Sequence, residues 1–230
     1  MKTIGLLGGM SWESTVTYYQ LINRGIGKKI GGLHSAKICL YSVDFGDVEP
    51  FMSAGKWKEI GTVLCDAAGK IEAGGADFLL ICTNTMHKVA PRVERSISIP
   101  ILHIADAAAA EIRKQGFSRV GLLGTSFTME QDFYSGRLKD LFGIDAVIPD
   151  RQDREKVNNI IFTELCLGKI KPESRETCLT IIEKMSAAGA DAVLMACTEI
   201  PLLVQQEHTE VPLLDTTSIH ATAAVELSTN

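Results

Sequence analysis

The chain has 230 residues, of which 46% are hydrophobic, and a formal net charge of −5. This hydrophobic fraction is ample for a buried core, and the interspersed charges without a Lys/Arg cluster argue against a nucleic-acid partner. No apolar stretch reaches the roughly 18 residues of a spanning helix, so we expect no membrane association and a cytoplasmic protein with no cleaved leader.

Short apolar runs alternate with amphipathic segments along the chain. A strand-like run opens the chain at residues 4–8. Apolar residues at helical spacing, with helix start and stop signals, predict helices at 57–70, 106–115, 129–141 and 174–188. The Val/Ile/Leu runs between such segments are typical of parallel strands that are buried on both faces and joined by helical crossovers.

Three segments of the first half recur in the second half in the same order. IGLLG at 4–8 returns as VGLLG at 120–124, AGGADFLL at 73–80 as AAGADAVL at 187–194, and IPILH at 99–103 as VPLLD at 211–215. The offsets of 116, 114 and 112 residues shrink smoothly. This pattern indicates an internal duplication.

The duplication predicts an α/β fold of two pseudo-symmetric, doubly wound lobes. Each lobe is expected to contain a four-stranded parallel sheet, with the active site in the cleft between the lobes. No Pro/Gly/Ser-rich linker marks a boundary, so we expect the chain to cross twice, near residues 104 and 211. The predicted N-terminal lobe is 1–104 plus 212–230, and the predicted C-terminal lobe is 105–211.

Metal and nucleotide sites are disfavoured by the motifs that are present. The six cysteines form no C-x-x-C pair and no zinc-type spacing, so we expect no metal. The glycine-containing loop at 8–11 lacks the dinucleotide and P-loop patterns. Its N–H groups suit a carboxylate equally well, and the structural alternative is a tight turn in which Ser11 or Ser14 caps the following helix.

Short polar side chains follow the predicted strands, at the edge where parallel sheets bind ligands. Thr83-Asn84-Thr85 in the first half corresponds to Cys197-Thr198-Glu199 in the second, and Thr125 to Thr128 follow another strand. A single triplet of this kind more often caps a helix, but two triplets at duplicated positions favour a ligand-binding site. A thiol between a buried strand and a helix start is also expected to have a lowered pKa.

Three histidines lie near these strand ends: His87, His103 and His220. His87 falls one helical turn after Thr83, on the same face. A structural role and a catalytic role are equally compatible with each of the three.

With these residues in view, the chain resembles the aspartate/glutamate racemase family over essentially its full length. The resemblance lies in the opening IGLLGGMS, the NTMH stretch at 84–87, Gly124-Thr125 with Thr128, CTEIP at 197–201, and the closing LDTT at 214–217 with His220. It implies a two-lobed protein, expected here to be a homodimer, that acts on a small-molecule amino acid and needs no cofactor, neither pyridoxal phosphate nor a metal.

The resemblance also implies two-base proton transfer at the substrate Cα, normally by two cysteines. The second is Cys197, on the L face, but Thr83 stands where the first belongs. Cys82 should not replace it, since neighbouring strand side chains point to opposite faces. We therefore predict a preference for L-aspartate and L-glutamate, slow turnover, and proton donation by Thr83, aided by water or His87. The expected substrate-binding residues are Met10, Ser11, Asn84, Thr85, Thr125 and Thr198, supported by His87, Thr128, Glu199 and His220.

Other functions stay open on the sequence. No arginine stands in the strand-end motifs, so the acidic substrate is implied by the family alone and neutral amino acids are an alternative. A related carbanion enzyme, of the maleate isomerase or hydantoin racemase type, is a second alternative. A degenerate amino-acid-binding protein is a third alternative, because evolutionary loss of enzymatic activity would remove a catalytic thiol in this way.

Overall fold

The computed structural model describes residues 1–230, which divide into two compact units. Unit 1 comprises Met1–Ile104 and His220–Asn230, and unit 2 comprises Ala105–Ile219. The second crossing therefore lies between Ile219 and His220 and not near residue 211. Segment 212–219 belongs to unit 2 because its strand pairs within the sheet of that unit.

Unit 1 alternates strands and helices from its first residues. The first helix buries Tyr18, Ile22 and Ile26 at a spacing of four residues, which places them on one face. A 3-10 helix, Thr85–Val89, precedes the last short helix. The elements are β1 (Ile4–Gly8), α1 (Trp12–Ile30), β2 (Ile38–Ser42), α2 (Phe45–Ser53), α3 (Trp57–Ala73), β3 (Phe78–Ile81) and α4 (Ala90–Glu94).

Unit 2 repeats this alternation, and the predicted helix at 129–141 proves to be two helices. Gln131 between them has an extended backbone, with φ −103° and ψ 146°, so the first helix ends there and a second begins. Two 3-10 turns span Leu165–Leu167 and Gln206–His208. The elements are α5 (Ile104–Lys114), β4 (Arg119–Gly124), α6 (Ser126–Glu130), α7 (Asp132–Phe142), β5 (Asp145–Val147), α8 (Arg151–Thr163), α9 (Pro172–Ala187), β6 (Ala192–Ala196), α10 (Ile200–Leu203), β7 (Leu213–Asp215) and α11 (Thr216–Thr229). Helix α11 begins in unit 2 and continues into unit 1 from His220 onward.

Each unit is built on a parallel sheet, which confirms the predicted α/β class. The strand order is β2-β1-β3 in unit 1 and β5-β4-β6-β7 in unit 2. Every residue of β1, β3 and β6 is buried, as expected for strands covered on both faces. Separate apolar cores lie beneath the two sheets, around Phe78 in unit 1 and Val193 in unit 2.

The predicted fourth strand of unit 1 is reduced to one bridge, between Leu79 and Ile101. Both units begin this pairing alike, since Leu79 N–H donates to the Pro100 carbonyl and Val193 N–H donates to the Pro212 carbonyl. In unit 2 the pairing continues as β7. In unit 1 it stops because the next two backbone groups, Leu102 C=O and Ile104 N–H, are hydrogen-bonded to histidine side chains. No helix of the chain is both long enough and apolar enough to cross a membrane.

Candidate active site

In unit 1, the predicted site residues lie where two neighbouring strands end. The β1 and β3 strands are paired, with Leu7 opposite Ile81, so the residues that follow them share one edge of the sheet. The Ser14 hydroxyl links the two chain segments, since it lies 3.1 Å from both the Ser11 and the Cys82 carbonyl oxygens. Unit 1 thus brings together two of the predicted groups, namely Met10 and Ser11 with Thr83, Asn84 and Thr85.

The loop after β1 is a tight turn closed by α1. Gly9 has φ +96°, and a Cβ there would lie 2.1 Å from the Val43 carbonyl oxygen, so the position requires glycine. Its N–H donates to Thr15 Oγ1 at 2.8 Å, and Ser11 caps the helix. The structural alternative for this loop is therefore realised, and the Gly9 N–H is already used within the fold.

Thr83 is held by its backbone on both sides. Its N–H donates to the Ile81 carbonyl at 2.9 Å, and its own carbonyl lies 2.8 Å from His87 Nδ1. The residue is 8% exposed. The preceding Cys82 belongs to the apolar core, where burial raises the pKa of its thiol.

Three histidines of unit 1, His87, His103 and His220, form a buried group with Tyr18. The His87 ring is centred 4.4 Å from that of His103 and 6.1 Å from that of His220. His220 bridges the Tyr18 hydroxyl at 2.8 Å and the Leu102 carbonyl at 2.7 Å. Because both ring nitrogens of His87 are also hydrogen-bonded, to Thr83 and Ile104, its ring contacts the Thr83 backbone and is not available as the suggested proton donor.

In unit 2, the predicted residues likewise follow two neighbouring strands. Gly124 of β4 is paired with Ala196 of β6, so Thr125 and Cys197 start at the same edge. The Thr125 side chain caps α6 by accepting from the Thr128 N–H at 3.3 Å, and the two hydroxyls are 3.2 Å apart. Both threonines are buried.

Cys197 is a buried thiol beside a buried carboxylate. Its Sγ donates to Glu199 Oε2 at 3.2 Å, and the Thr198 hydroxyl donates to the same oxygen at 2.7 Å. Burial, and then the Glu199 carboxylate, raise the pKa of the Cys197 thiol well above its ordinary value. The expected lowering of this pKa is therefore wrong. The next helix, α10, spans only four residues, whereas loss of solvation is the largest cause of the shift at this buried thiol.

The end of β7 completes this edge of unit 2. Thr216 Oγ1 donates to the Met195 carbonyl at 2.9 Å, while Asp215 accepts from the Thr217 N–H and the Ser218 hydroxyl. The Thr217 hydroxyl is buried and has no hydrogen-bond partner. The sequence did not single out this buried hydroxyl, because the segment resembles an ordinary helix cap. No group of three or more His, Cys, Asp or Glu side chains is arranged to hold a metal ion.

Comparison with known proteins finds that the chain is similar to racemases. Residues 7–224 match the family model described as Asp/Glu/hydantoin racemase. A candidate Asp/Glu racemase from Yersinia pestis, of known crystal structure, is 49% identical, with all of both chains covered and a TM-score of 0.94. An aspartate racemase homologue from Pyrococcus horikoshii is 34% identical, again over all of both chains, with a TM-score of 0.86.

A more distant relative is named as an amino-acid racemase. The broad specificity amino-acid racemase RacX of Bacillus subtilis is 25% identical over 167 residues, which are 73% of this chain and 71% of RacX. The chain is thus similar in sequence, and not only in fold, to a protein named as an amino-acid racemase.

Proposed function

Since the chain belongs to the Asp/Glu/hydantoin racemase family, we propose that it is a cofactor-independent amino-acid racemase whose substrates are L-aspartate and L-glutamate. The observation that carries this proposal is the Cys197–Glu199 pair at the end of β6. A thiol whose pKa is raised needs a base to become a nucleophilic or basic thiolate. Glu199 is in hydrogen-bond contact with the thiol and can take its proton.

The proton transfers on the L face follow from this contact. Glu199 accepts the Cys197 proton, and the thiolate then removes the α-proton of the bound amino acid. The electron pair of the broken C–H bond stays on Cα as a carbanion next to the α-carboxylate. Cys197 ends protonated, and Glu199 returns its proton to solvent.

On the opposite face, Thr83 is the proposed proton donor to the carbanion, and its hydroxyl is then reprotonated by water. A thiol has an ordinary pKa of about 8.5 and is a competent acid and base near neutrality, whereas an aliphatic alcohol is neither. The two faces are therefore chemically unequal, and we expect slow turnover with a preference for the L enantiomer. Because enantiomers have equal free energies in water, kcat/KM must be the same in both directions, so the asymmetry appears only in kcat and KM separately.

Substrate binding is assigned to the strand-end residues of both units. Backbone N–H groups and hydroxyls there would hold the α-carboxylate and stabilise the developing negative charge. These residues are Met10, Ser11, Asn84, Thr85, Thr125 and Thr198. Thr128, Glu199, His87 and His220 support them through the contacts described above.

The acidic side chain of the substrate is proposed from the family description, because the strand-end loops present no arginine. Neutral amino acids are the alternative that the relative RacX favours, since its name states broad specificity. The family description also includes hydantoin racemases, which keeps a hydantoin as a second substrate class.

Proton NMR in deuterated water tests the proposal directly. Wild-type protein and Cys197→Ser are incubated with L-aspartate, L-glutamate and a panel of neutral L-amino acids, and the products are separated on a chiral column. Cys39→Ser, which changes a free thiol in β2, is the matched control. We expect loss of the α-proton signal and formation of D product in wild type and Cys39→Ser, and neither in Cys197→Ser.

Other outcomes separate the alternatives. Exchange with a hydantoin but with no amino acid would identify a hydantoin racemase. A thermal shift on adding an amino acid, with no α-proton exchange, would identify a binding protein. Either result would overturn the amino-acid racemase proposal.

We also propose a cytoplasmic homodimer. The dimer is carried over from the family resemblance, and the location is supported by six cysteines that are all free, as is usual in a reducing compartment. Sedimentation equilibrium should give twice the mass of a single chain. A single-chain mass at micromolar protein concentration would overturn the dimer.

A further inference from the structure

We propose that His87 is a positioning residue that fixes the backbone of Thr83 through one particular neutral tautomer. The inference rests on the proposed function, in which Thr83 donates a proton. It concerns a side chain that the proton transfers themselves do not use. Three observations support the inference. They are the hydrogen bonds of the His87 ring, the groups that surround the ring, and the early end of the fourth strand of unit 1 at backbone groups bonded to histidines.

The tautomer follows from the two partners of the ring. Ile104 N–H can only donate, so His87 Nε2, 3.2 Å away, must carry the lone pair. Nδ1 therefore carries the hydrogen and donates it to the Thr83 carbonyl at 2.8 Å. Protonation at Nε2 would place two hydrogens against each other in a buried site, so only the neutral Nδ1–H form satisfies both contacts.

The surroundings keep this ring neutral. His87 is 1% exposed. Burial first, and then repulsion from the charge that His103 or His220 would carry, hold the pKa of His87 well below its ordinary value. The other titratable groups of this core are the Tyr18 phenol, which bonds His220, and the buried Cys82 thiol.

His220 has the opposite tautomer and serves the same segment of chain. Its Nε2 faces the Leu102 carbonyl, which can only accept, so this nitrogen carries the hydrogen and Nδ1 accepts from the Tyr18 hydroxyl. The two histidines therefore satisfy the backbone groups that the sheet would otherwise have paired. As a result the strand ends early, and one of these two rings, that of His87, also holds Thr83.

This arrangement predicts a specific consequence for catalysis. The Thr83 backbone is fixed by Ile81 on one side and by His87 on the other. Loss of the Nδ1–H donor should misplace the Thr83 hydroxyl while leaving Cys197 and Glu199 untouched. Delivery of a proton to the D face should then fail, whereas removal of the α-proton from the L face should continue.

Two substitutions separate the roles of the two nitrogens. His87→Asn places an amide N–H near the position of Nδ1 and can still donate to Thr83. His87→Gln places its amide near the position of Nε2 and cannot. His34→Gln, at an exposed loop position, is the matched control.

The measurement follows L-aspartate and L-glutamate in deuterated water and resolves deuterated L from deuterated D product. Recovered L that carries deuterium reports removal of the α-proton alone, and D product reports delivery to the opposite face. In His87→Gln, D product should fall by about 10- to 100-fold, the scale expected for a displaced catalytic group, while deuterium uptake into L changes by less than about threefold. His87→Asn and His34→Gln should keep both rates near those of wild type.

A second readout does not depend on catalysis or on the variants folding. Nitrogen-15 NMR of histidine-labelled wild type at neutral pH should show the His87 ring in the neutral Nδ1–H form. An Nε2–H or doubly protonated His87 would overturn the proposal. So would an equal fall of both rates in His87→Gln, or an Asn variant no better than the Gln variant.

Failure of the proposed function has a different signature. If wild type exchanges no α-proton with any amino acid, Thr83 donates no proton and both proposals fall. If wild type exchanges and inverts but the two rates fall together in His87→Gln, only the positioning role falls.

Discussion

Replacement of Glu199 by glutamine isolates the contribution of the carboxylate to proton transfer by Cys197. Glu199 Oε2 accepts from both the Cys197 thiol and the Thr198 hydroxyl, so this carboxylate oxygen is already in place to take the thiol proton. The amide of glutamine keeps the size and an acceptor oxygen but is not basic. Because general-base catalysis contributes about 10²- to 10⁴-fold, we expect kcat to fall by that factor near neutral pH.

The pH dependence gives the same variant a sharper test. The Glu199 charge is one cause of the raised pKa of Cys197, so its removal should lower that pKa. At a given alkaline pH, more of the variant is then thiolate, and the deficit relative to wild type should shrink as pH rises. Chiral chromatography of products between about pH 6 and pH 10, which spans the ordinary thiol pKa, measures this.

The control is Glu210→Gln, which removes an equal charge from an exposed position in unit 2. If Glu199→Gln keeps kcat within about threefold of wild type, or if its deficit is the same at every pH, Glu199 is not the base and the reasoning from the thiol contact fails.

Three further predictions concern unit 1. Thr83→Cys should raise turnover about tenfold or more in chiral assays of both enantiomers, because a thiol can donate and accept where an alcohol cannot. Acid should destabilise the folded protein, because the pKa of His87 is lowered in the native state. Below about pH 6.5, the ordinary histidine pKa, the unfolded chain therefore binds more protons than the folded one, and the free energy of unfolding falls as pH falls. In urea denaturation of the His87→Gln variant, the slope of unfolding free energy against pH should be smaller by up to about 1.4 kcal/mol per pH unit. An unchanged slope would contradict a buried, neutral His87. Tyr18→Phe leaves His220 Nδ1 buried without its donor and should cost about 1–3 kcal/mol of unfolding free energy, whereas a cost near zero would contradict the bond.

The repeated segments predicted both parallel sheets, because strand periodicity and burial are encoded locally. They did not predict the early end of the fourth strand in unit 1. That end depends on His87, 17 residues before Ile104, and on His220, 118 residues after Leu102. The second boundary was misplaced for a related reason. It falls inside the continuous helix α11, where no change of composition marks it.

The strand-end placement of Thr83 and Cys197 was predictable, but the surroundings of their side chains were not. Strand ends of a parallel sheet meet at one edge, so Thr83 and Cys197 could each be placed from the duplication alone. The direction of the pKa shift of Cys197 could not be predicted, because it depends on where the Glu199 side chain points and on how deeply the thiol is buried. The Tyr18–His220 contact joins residues 202 positions apart, and no spacing rule predicts such a pair.

The two copies of the duplication support their strand-end residues by different means. With the offset of 114 residues between Thr83 and Cys197, the position that corresponds to Glu199 is Thr85, and the one that corresponds to His87 is Pro201. Unit 2 therefore supplies charge next to its strand-end residue, whereas unit 1 supplies a backbone hydrogen bond. This difference fits the chemistry of the two groups. A thiol gains from a neighbouring base that can remove its proton, but an alcohol remains unionised near neutral pH and can contribute only through where its hydroxyl is held.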